Sequence, residues 1–185
     1  YEGVTTNEID ESLIKSACGL IEQEPNYRFV AARLLLGTIY KEVFGEGVDS
    51  DAFDYQYRQS FLKNLKELIK TKILREDLKT LDLKKIAQAL KPERDFQFAY
   101  IGLQTAKDRY LIKKADKLLE SPQAWLMRVA MGLAIAEKEE DRTEWAIKFY
   151  DKLSSFDYMT STPTLFYSGN VRNQLSSCFL STFED

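Results

Sequence analysis

Histidine is absent from all 185 residues. That absence removes Ser–His–Asp and Cys–His nucleophile pairs, along with the commonest zinc ligand sets. Acid–base work would fall to Asp, Glu, Lys, Tyr or Cys. Cysteine is scarce too: Cys18 and Cys178 are the only two. Two thiols are too few for a disulfide scaffold, which points to a reducing, cytoplasmic setting. No apolar run approaches the ~18 residues that span a bilayer, and no signal peptide opens the chain. Membrane partners are therefore not expected. Nor does the chain carry a basic field: 26 Lys and Arg against 29 Asp and Glu leave a net charge of −3. Nucleic acid is disfavoured as a main partner. There is no internal repeat, low-complexity segment or flexible linker.

What remains is ordinary globular material, 44% hydrophobic and 30% charged, enough for one sizeable domain or one and a fraction. The first residue is Tyr1, so a cut N-terminus is expected. Thr5-Thr6-Asn7-Glu8 has the spacing of a capping box, and Ile9, Leu13, Ala17, Leu20 and Ile21 then recur at helical spacing. Cys18 on that helix reads as a small buried hydrophobe. A second helix carries Tyr27, Val30, Ala31, Leu34, Leu35, Ile39 and Val43 and ends at Gly45-Glu46-Gly47. A third presents Phe53, Tyr57, Phe61, Leu65, Leu68 and Ile69 on one stripe, which reads as core. A shorter helix ends at Leu90, ahead of Lys91-Pro92.

Asp95 is placed to cap a helix through Phe96, Ala99, Tyr100 and Leu103. Arg109 to Ile112 reads as a short strand that turns through Lys113–Asp116 into Lys117-Leu118-Leu119. Ser121-Pro122 is a helix start with proline at the first position, leading into Trp125, Val129, Leu133 and Ala136. The run Glu137, Glu139, Glu140 and Asp141 could in principle ligate a metal but reads as a solvated helix end, so no metal ligands are assigned. A last helix surrounds Trp145, Phe149 and Leu153. After Ser154-Ser155 charge thins and Ser and Thr rise.

That final stretch is where chemistry is expected. In Ser161-Thr162-Pro163-Thr164, Thr162 can cap a short helix with Pro163 at its first position. A helix start offers free N–H groups to a phosphate, although Ser/Thr-Pro there is commonly only a cap. Asn173 to Phe183 then alternates like a strand, with Ser177, Phe179, Ser181 and Phe183 against Ser176, Cys178, Leu180 and Thr182. Two hydroxyls and a thiol at its centre hint at a polar pocket. Packing is the plainer explanation of a lone cysteine in a strand.

"STPTLF" followed by "QLSSCFL" resembles the catalytic large (α) subunit of class I ribonucleotide reductase. "DFQFAYIGLQTAKDRYLIK", "ESPQAWLMRVAMGLA" and "FYDKLSSFDYMTSTPTLF" resemble that subunit's N-terminal helical region in order and spacing. Tyr167 departs from the asparagine that relatives commonly carry. The resemblance implies a mainly α chain in three parts: residues 1–46 from the C-terminal part of an ATP-cone-like module, 47–155 a helical domain, and 156–185 the start of the barrel. The Asn173–Phe183 strand would be the first strand of a ten-stranded α/β barrel that is otherwise absent from these 185 residues.

The resemblance implies roles residue by residue. Thr162 and Ser177 would contact the substrate ribonucleotide, chiefly its diphosphate. Cys178 would be one of two thiols that reduce the ribose and end as a disulfide, a two-electron supply. The radical-forming cysteine, its carboxylate and the second redox thiol would lie downstream. Asp185 would fall near an effector-contacting position, and Thr6 would match a nucleotide-contacting one. Asp10 and Thr38 stand where some relatives use histidine, which argues against a working ATP/dATP switch. No cofactor is expected on the chain itself. A metal-containing β subunit would supply the radical, nucleoside triphosphates would act as effectors, and the further partners would be the rest of the α chain, a second α copy, and thioredoxin or glutaredoxin. The rival expectation is a stand-alone, non-catalytic helical binding or regulatory module. A long unpaired edge at Asn173–Phe183 would be a hazard for such a module, which favours a missing companion.

Overall fold

A computed structural model describes residues 3–45 and 50–182. Helix predominates, as read from the sequence, and the chain divides into two compact units: residues 1–64 with 90–125, and residues 65–89 with 126–185.

The first unit opens with α1 (Thr6–Gly19). Its start is the predicted capping box: Glu8 N–H donates to Thr5 Oγ1 at 3.3 Å, and Thr5 N–H donates to Glu8 Oε2 at 2.8 Å. The buried face matches the predicted one only in part. Ile14 and Ala17 are buried, whereas Ile9 and Leu13 are about half exposed. The apolar stripe is wide, and α1 turns its Ile14 edge towards α2 (Tyr27–Phe44), against which it packs. Helix α2 buries Ala31, Leu35, Leu36, Ile39, Tyr40 and Val43 while Val30 faces out. It ends at Gly45, whose φ of 94° belongs to the region only glycine enters freely.

Helix α3 (Phe53–Lys70) buries the predicted stripe at Tyr57 and Phe61 in the first unit and at Leu65, Leu68 and Ile69 in the second. A 3₁₀ turn over Pro92–Gln97 leads into α5 (Tyr100–Thr105), which packs on α2. Asp95 therefore does not cap the helix: it lies inside the 3₁₀ turn, fully buried, and Ala99 precedes α5. The strand predicted from Arg109 also starts later. Residues 106–110 continue α5 as a π-helical turn, closed by a Leu111 N–H donated to the Ala106 carbonyl at 3.0 Å. Strands β1 (Lys113–Lys114) and β2 (Lys117–Leu118) follow as a two-residue hairpin. Ala115 and Asp116 both hold positive φ there, the geometry that matches the twist of paired strands.

The second unit contains the end of α3, then α4 (Leu83–Ala89), which packs against α7 (Arg142–Ser154). Helix α6 (Pro122–Ala134) begins at the predicted proline. From Leu126 onward it belongs to this unit, and Leu126, Met127, Val129, Ala130, Met131 and Ala134 are all buried. A helix buried on all sides is a core helix. The last helix, α8, spans Thr162–Tyr167. Its cap residue is Ser161, with Thr162 at the first helical position, one residue earlier than read from the sequence.

The predicted strand from Asn173 does not form among the described residues, which extend to 182. Residues 173–182 are without regular structure and mostly exposed, with Phe179 and Leu180 strongly so. Strand pairing needs a neighbour to take its backbone N–H and C=O groups, and the described residues supply none to this segment. Phe183 and Asp185 lie outside the described residues.

Candidate functional site

Thr162, Ser177 and Cys178 all fall in the second unit, and one side chain between them links their segments. Thr164, on α8, is buried and donates from Oγ1 to the Leu175 carbonyl at 3.3 Å. The bond joins a residue two places after Thr162 to one two places before Ser177. Ser161 makes no capping bond; its Oγ lies 3.4 Å from Thr164 Oγ1 instead. At six residues α8 has only a short stack of peptide dipoles, so the hydroxyls matter here more than a helix-dipole effect.

The backbone bends at Ser177, and this corrects the expected alternation. Ser177 Oγ approaches Cys178 Sγ to 3.9 Å, so hydroxyl and thiol are neighbours rather than opposite faces of a strand. Both residues are exposed, and Cys178 is a free thiol.

The far end of α8 is fastened by α6. Arg128, buried to 1% exposure, donates from Nη1 to the Ser168 carbonyl at 2.7 Å and the Phe166 carbonyl at 3.4 Å. Ser168 Oγ donates to the Val129 carbonyl at 2.8 Å. The turn is held on its other side as well, by Arg75 N–H to the Gly169 carbonyl and Val171 N–H to the Ile73 carbonyl, both at 3.0 Å. A lone arginine in the greasy run "AWLMRVAMG" was the available sequence signal, since a buried guanidinium requires acceptors.

In the first unit, Thr6 lines an open cleft of about 1040 Å³ with Lys15, Lys41, Lys107, Thr38 and Tyr100. Glu11 and Glu42 line it too, and Lys41 is ion-paired with Asp10 at 2.6 Å. Cys18, half-buried on α1, interacts with Tyr100, whose hydroxyl is pushed up by desolvation and by Cys18.

A buried polar network that sequence reasoning missed also lies in this unit. Asp95 Oδ2 accepts from Tyr40 at 2.8 Å and Tyr57 at 2.9 Å, and its Oδ1 accepts from Gln123 Nε2 at 3.0 Å. Gln123 N–H in turn donates to the Tyr57 oxygen at 3.0 Å. The network therefore ties together α2, α3, the 3₁₀ turn and the first turn of α6. Burial pushes the Asp95 carboxyl up to about 7, against the hydrogen bonds from Gln123, Tyr40 and Tyr57 that favour the anion. Burial and the facing carboxylate push both tyrosines well above their ordinary range.

A pH signature follows. An unfolded Asp titrates near 3.8, so between that value and about 7 the folded state retains a proton that the unfolded chain has released. This contribution to stability is complete below the lower value and is lost as pH rises through the upper one. Asp95→Asn is expected to flatten the slope by up to about 1.4 kcal/mol per pH unit across that window. Urea titrations of both proteins at several pH values check this, and parallel slopes would contradict it.

Among the described residues no three His, Cys, Asp or Glu side chains converge as a metal site, and no helix is long and apolar enough to cross a membrane.

With this geometry in place, known proteins define the class. The sequence profile of the ribonucleotide reductase all-alpha domain matches residues 96–173, which run from the 3₁₀ turn through α8. The chain is 43% identical over its whole length to the ribonucleoside-diphosphate reductase subunit alpha of Chlamydia muridarum, covering 18% of that protein. It is 39% identical to the Helicobacter pylori (strain 26695) protein of the same name, over 98% of this chain and 22% of that one. The Monkeypox virus ribonucleoside-diphosphate reductase large subunit is 35% identical over 97% of the chain and 22% of its own length. Residues 96–173 thus match the all-alpha domain of the ribonucleotide reductase family, and the whole chain is similar to an N-terminal portion of ribonucleotide reductase large subunits. It spans about a fifth of the length of the curated relatives it matches.

Proposed function

We propose that this chain forms an N-terminal portion of a working ribonucleoside-diphosphate reductase α subunit and contributes half of its active site. Thr162 and Ser177 bind the substrate's diphosphate, and Cys178 is one of two reducing thiols. The second thiol and the radical-forming cysteine come from α-chain residues outside 1–185. The overall exchange balances: a ribonucleotide and two thiols give a deoxyribonucleotide, a disulfide and water. A β subunit raises the radical, thioredoxin or glutaredoxin reduces the disulfide, and a second α copy completes the assembly in the cytoplasm. The exposed apolar residues of 173–182 pair with the remainder of the α/β barrel.

The observation that carries this reading is the Thr164–Leu175 hydrogen bond, which ties the Thr162 helix start to the segment bearing Ser177 and Cys178. Thr6 would meet a nucleoside triphosphate in the first unit's cleft, and Asp185 would serve a second effector site. The Asp10–Lys41 pair and the cleft's own carboxylates offset much of its positive charge, so effector binding at Thr6 is weak in this account.

A native mass spectrum of the particle purified from its source tests the proposal. The expected result is residues 1–185 joined to, or bound by, a barrel-sized remainder in a particle that reduces ribonucleoside diphosphates when β subunit is added. A lone 21.4 kDa species without reductase activity would contradict it and favour a stand-alone module.

A further inference from the structure

We propose that Thr164 is a positioning residue whose hydroxyl sets the spacing between Thr162 and Ser177, across which the ribonucleotide's diphosphate is held. The inference rests on the substrate reading above and adds to it a residue that does not itself touch substrate.

Residues 173–182 have no strand partner and no helix among the described residues. Two of the segment's hydrogen bonds stay inside it: Ser176 N–H donates to Gln174 Oε1 at 3.3 Å, and Ser177 Oγ to Cys178 Sγ at 3.9 Å. The bond from Thr164 Oγ1 to the Leu175 carbonyl leaves the segment and fixes it to α8. Thr164 spends its single hydroxyl proton on that carbonyl, so the Ser161 hydroxyl at 3.4 Å acts as donor to Thr164 Oγ1. A short relay results, running from the cap residue through Thr164 to the backbone two residues before Ser177.

Its other end is packed and hydrogen-bonded in place. Thr164 is 7% exposed, with Leu165 buried beside it, and α8 closes on a turn fastened by Arg128 and Ser168. An apolar side chain would fill a buried position on a short helix equally well, whereas a buried hydroxyl must be matched by a partner. The partner here is the Leu175 carbonyl, two residues before Ser177. Losing the bond would leave α8 in place and release the 173–182 segment. The predicted defect is therefore in substrate binding rather than in folding.

The test uses the complete α chain with its β subunit and compares Thr164→Val, Thr164→Ser, Thr162→Ala and Ser177→Ala. Valine keeps the volume and removes the hydroxyl. Thr164→Val is expected to raise the KM for ribonucleoside diphosphate about tenfold with kcat within about threefold, because uniform binding is lost. Thr164→Ser should restore KM to within about twofold, since it returns the hydroxyl. A purely structural role would instead lower the melting midpoint and the active fraction while the folded enzyme kept its KM. Should Thr164→Val not fold, Thr164→Ala removes the same hydroxyl without new bulk and carries the same expectation. An unchanged KM in a folded hydroxyl-less variant, alongside a raised KM for Thr162→Ala or Ser177→Ala, would overturn the positioning role alone. Unchanged KM in all of them would overturn the substrate reading together with it.

Discussion

Cys178→Ser in the complete α chain is expected to abolish sustained deoxyribonucleotide formation with thioredoxin as reductant, while ribonucleotide affinity stays within about threefold of wild type. The two readouts separate because the proposed function assigns reduction and binding to different atoms. Removal of the ribose 2′-hydroxyl consumes two electrons, which a pair of thiols supplies by becoming a disulfide. A serine hydroxyl cannot form that bond, so no second electron arrives and no disulfide is left for thioredoxin to reduce. Thr162 and the Ser177 hydroxyl survive in the variant, and the Thr164–Leu175 tether is untouched. Steady-state turnover with saturating reductant is the measurement. Normal multiple turnover by Cys178→Ser would remove the redox role from this residue. A large loss of affinity with turnover retained would turn the thiol into a binding group instead.

The largest structural effect is expected at Gly132, on the face of α6 against the turn after α8. A Cβ placed there would lie 2.1 Å from Gly169 N, 2.4 Å from Ser168 Oγ and 2.7 Å from Gly169 Cα. Two of these are backbone atoms and cannot swing aside. The turn is also fixed from behind: Gly169 holds φ at 82°, and a Cβ on it would meet Arg128 Cγ and the Arg128 carbonyl at 3.1 Å. Helix propensity alone favours Gly132→Ala by about 1 kcal/mol. The collision should outweigh that gain and leave a net loss of about 3 kcal/mol, or roughly 6–12 °C in melting midpoint for a chain of this size. Gly132→Val, with two further methyl groups in the same space, should leave α6 and the turn unable to dock at all. Thermal melts of both variants check this. An alanine variant as stable as the parent would mean that the turn can move, and the fastening of α8 by α6 would lose its physical basis.

Most of the helical layout could be read from period and punctuation. The Thr5–Glu8 box, the Gly45 stop, the Tyr57–Phe61–Leu65–Leu68 stripe and the Ser121-Pro122 start each depend on neighbours within one turn, which is the range a sequence displays. Burial on α1 was misread at Ile9, Leu13 and Ile14, though not at Ala17, because its apolar stripe is wide and tertiary packing against α2 selected the Ile14–Ala17 edge. Asp95 was misread for a related reason. An aspartate near a helix start is an ordinary cap by local rules, whereas its acceptor role here depends on Tyr40, 55 residues away, and Gln123, 28 residues away. The Asn173–Phe183 strand was the reverse case. Its alternation is genuine in sequence, yet alternation supplies only one side of a ladder, and the described residues carry no partner for it. Residues of the candidate site were legible chiefly through the resemblance of "STPTLF" and "QLSSC". Thr164 was visible in the first of these motifs, but its tie to the Leu175 carbonyl required coordinates.

Differential alkylation of Cys178 after a single turnover without external reductant tests the central claim most directly. The complete α chain, mixed with β subunit and one equivalent of ribonucleoside diphosphate, is quenched, alkylated, and then reduced and alkylated with a second reagent. The account predicts that Cys178 is protected from the first reagent in proportion to the deoxyribonucleotide formed, and that it is recovered in a disulfide with a cysteine from outside residues 1–185. Cys178 fully labelled by the first reagent at full product yield would show that its electrons were never used.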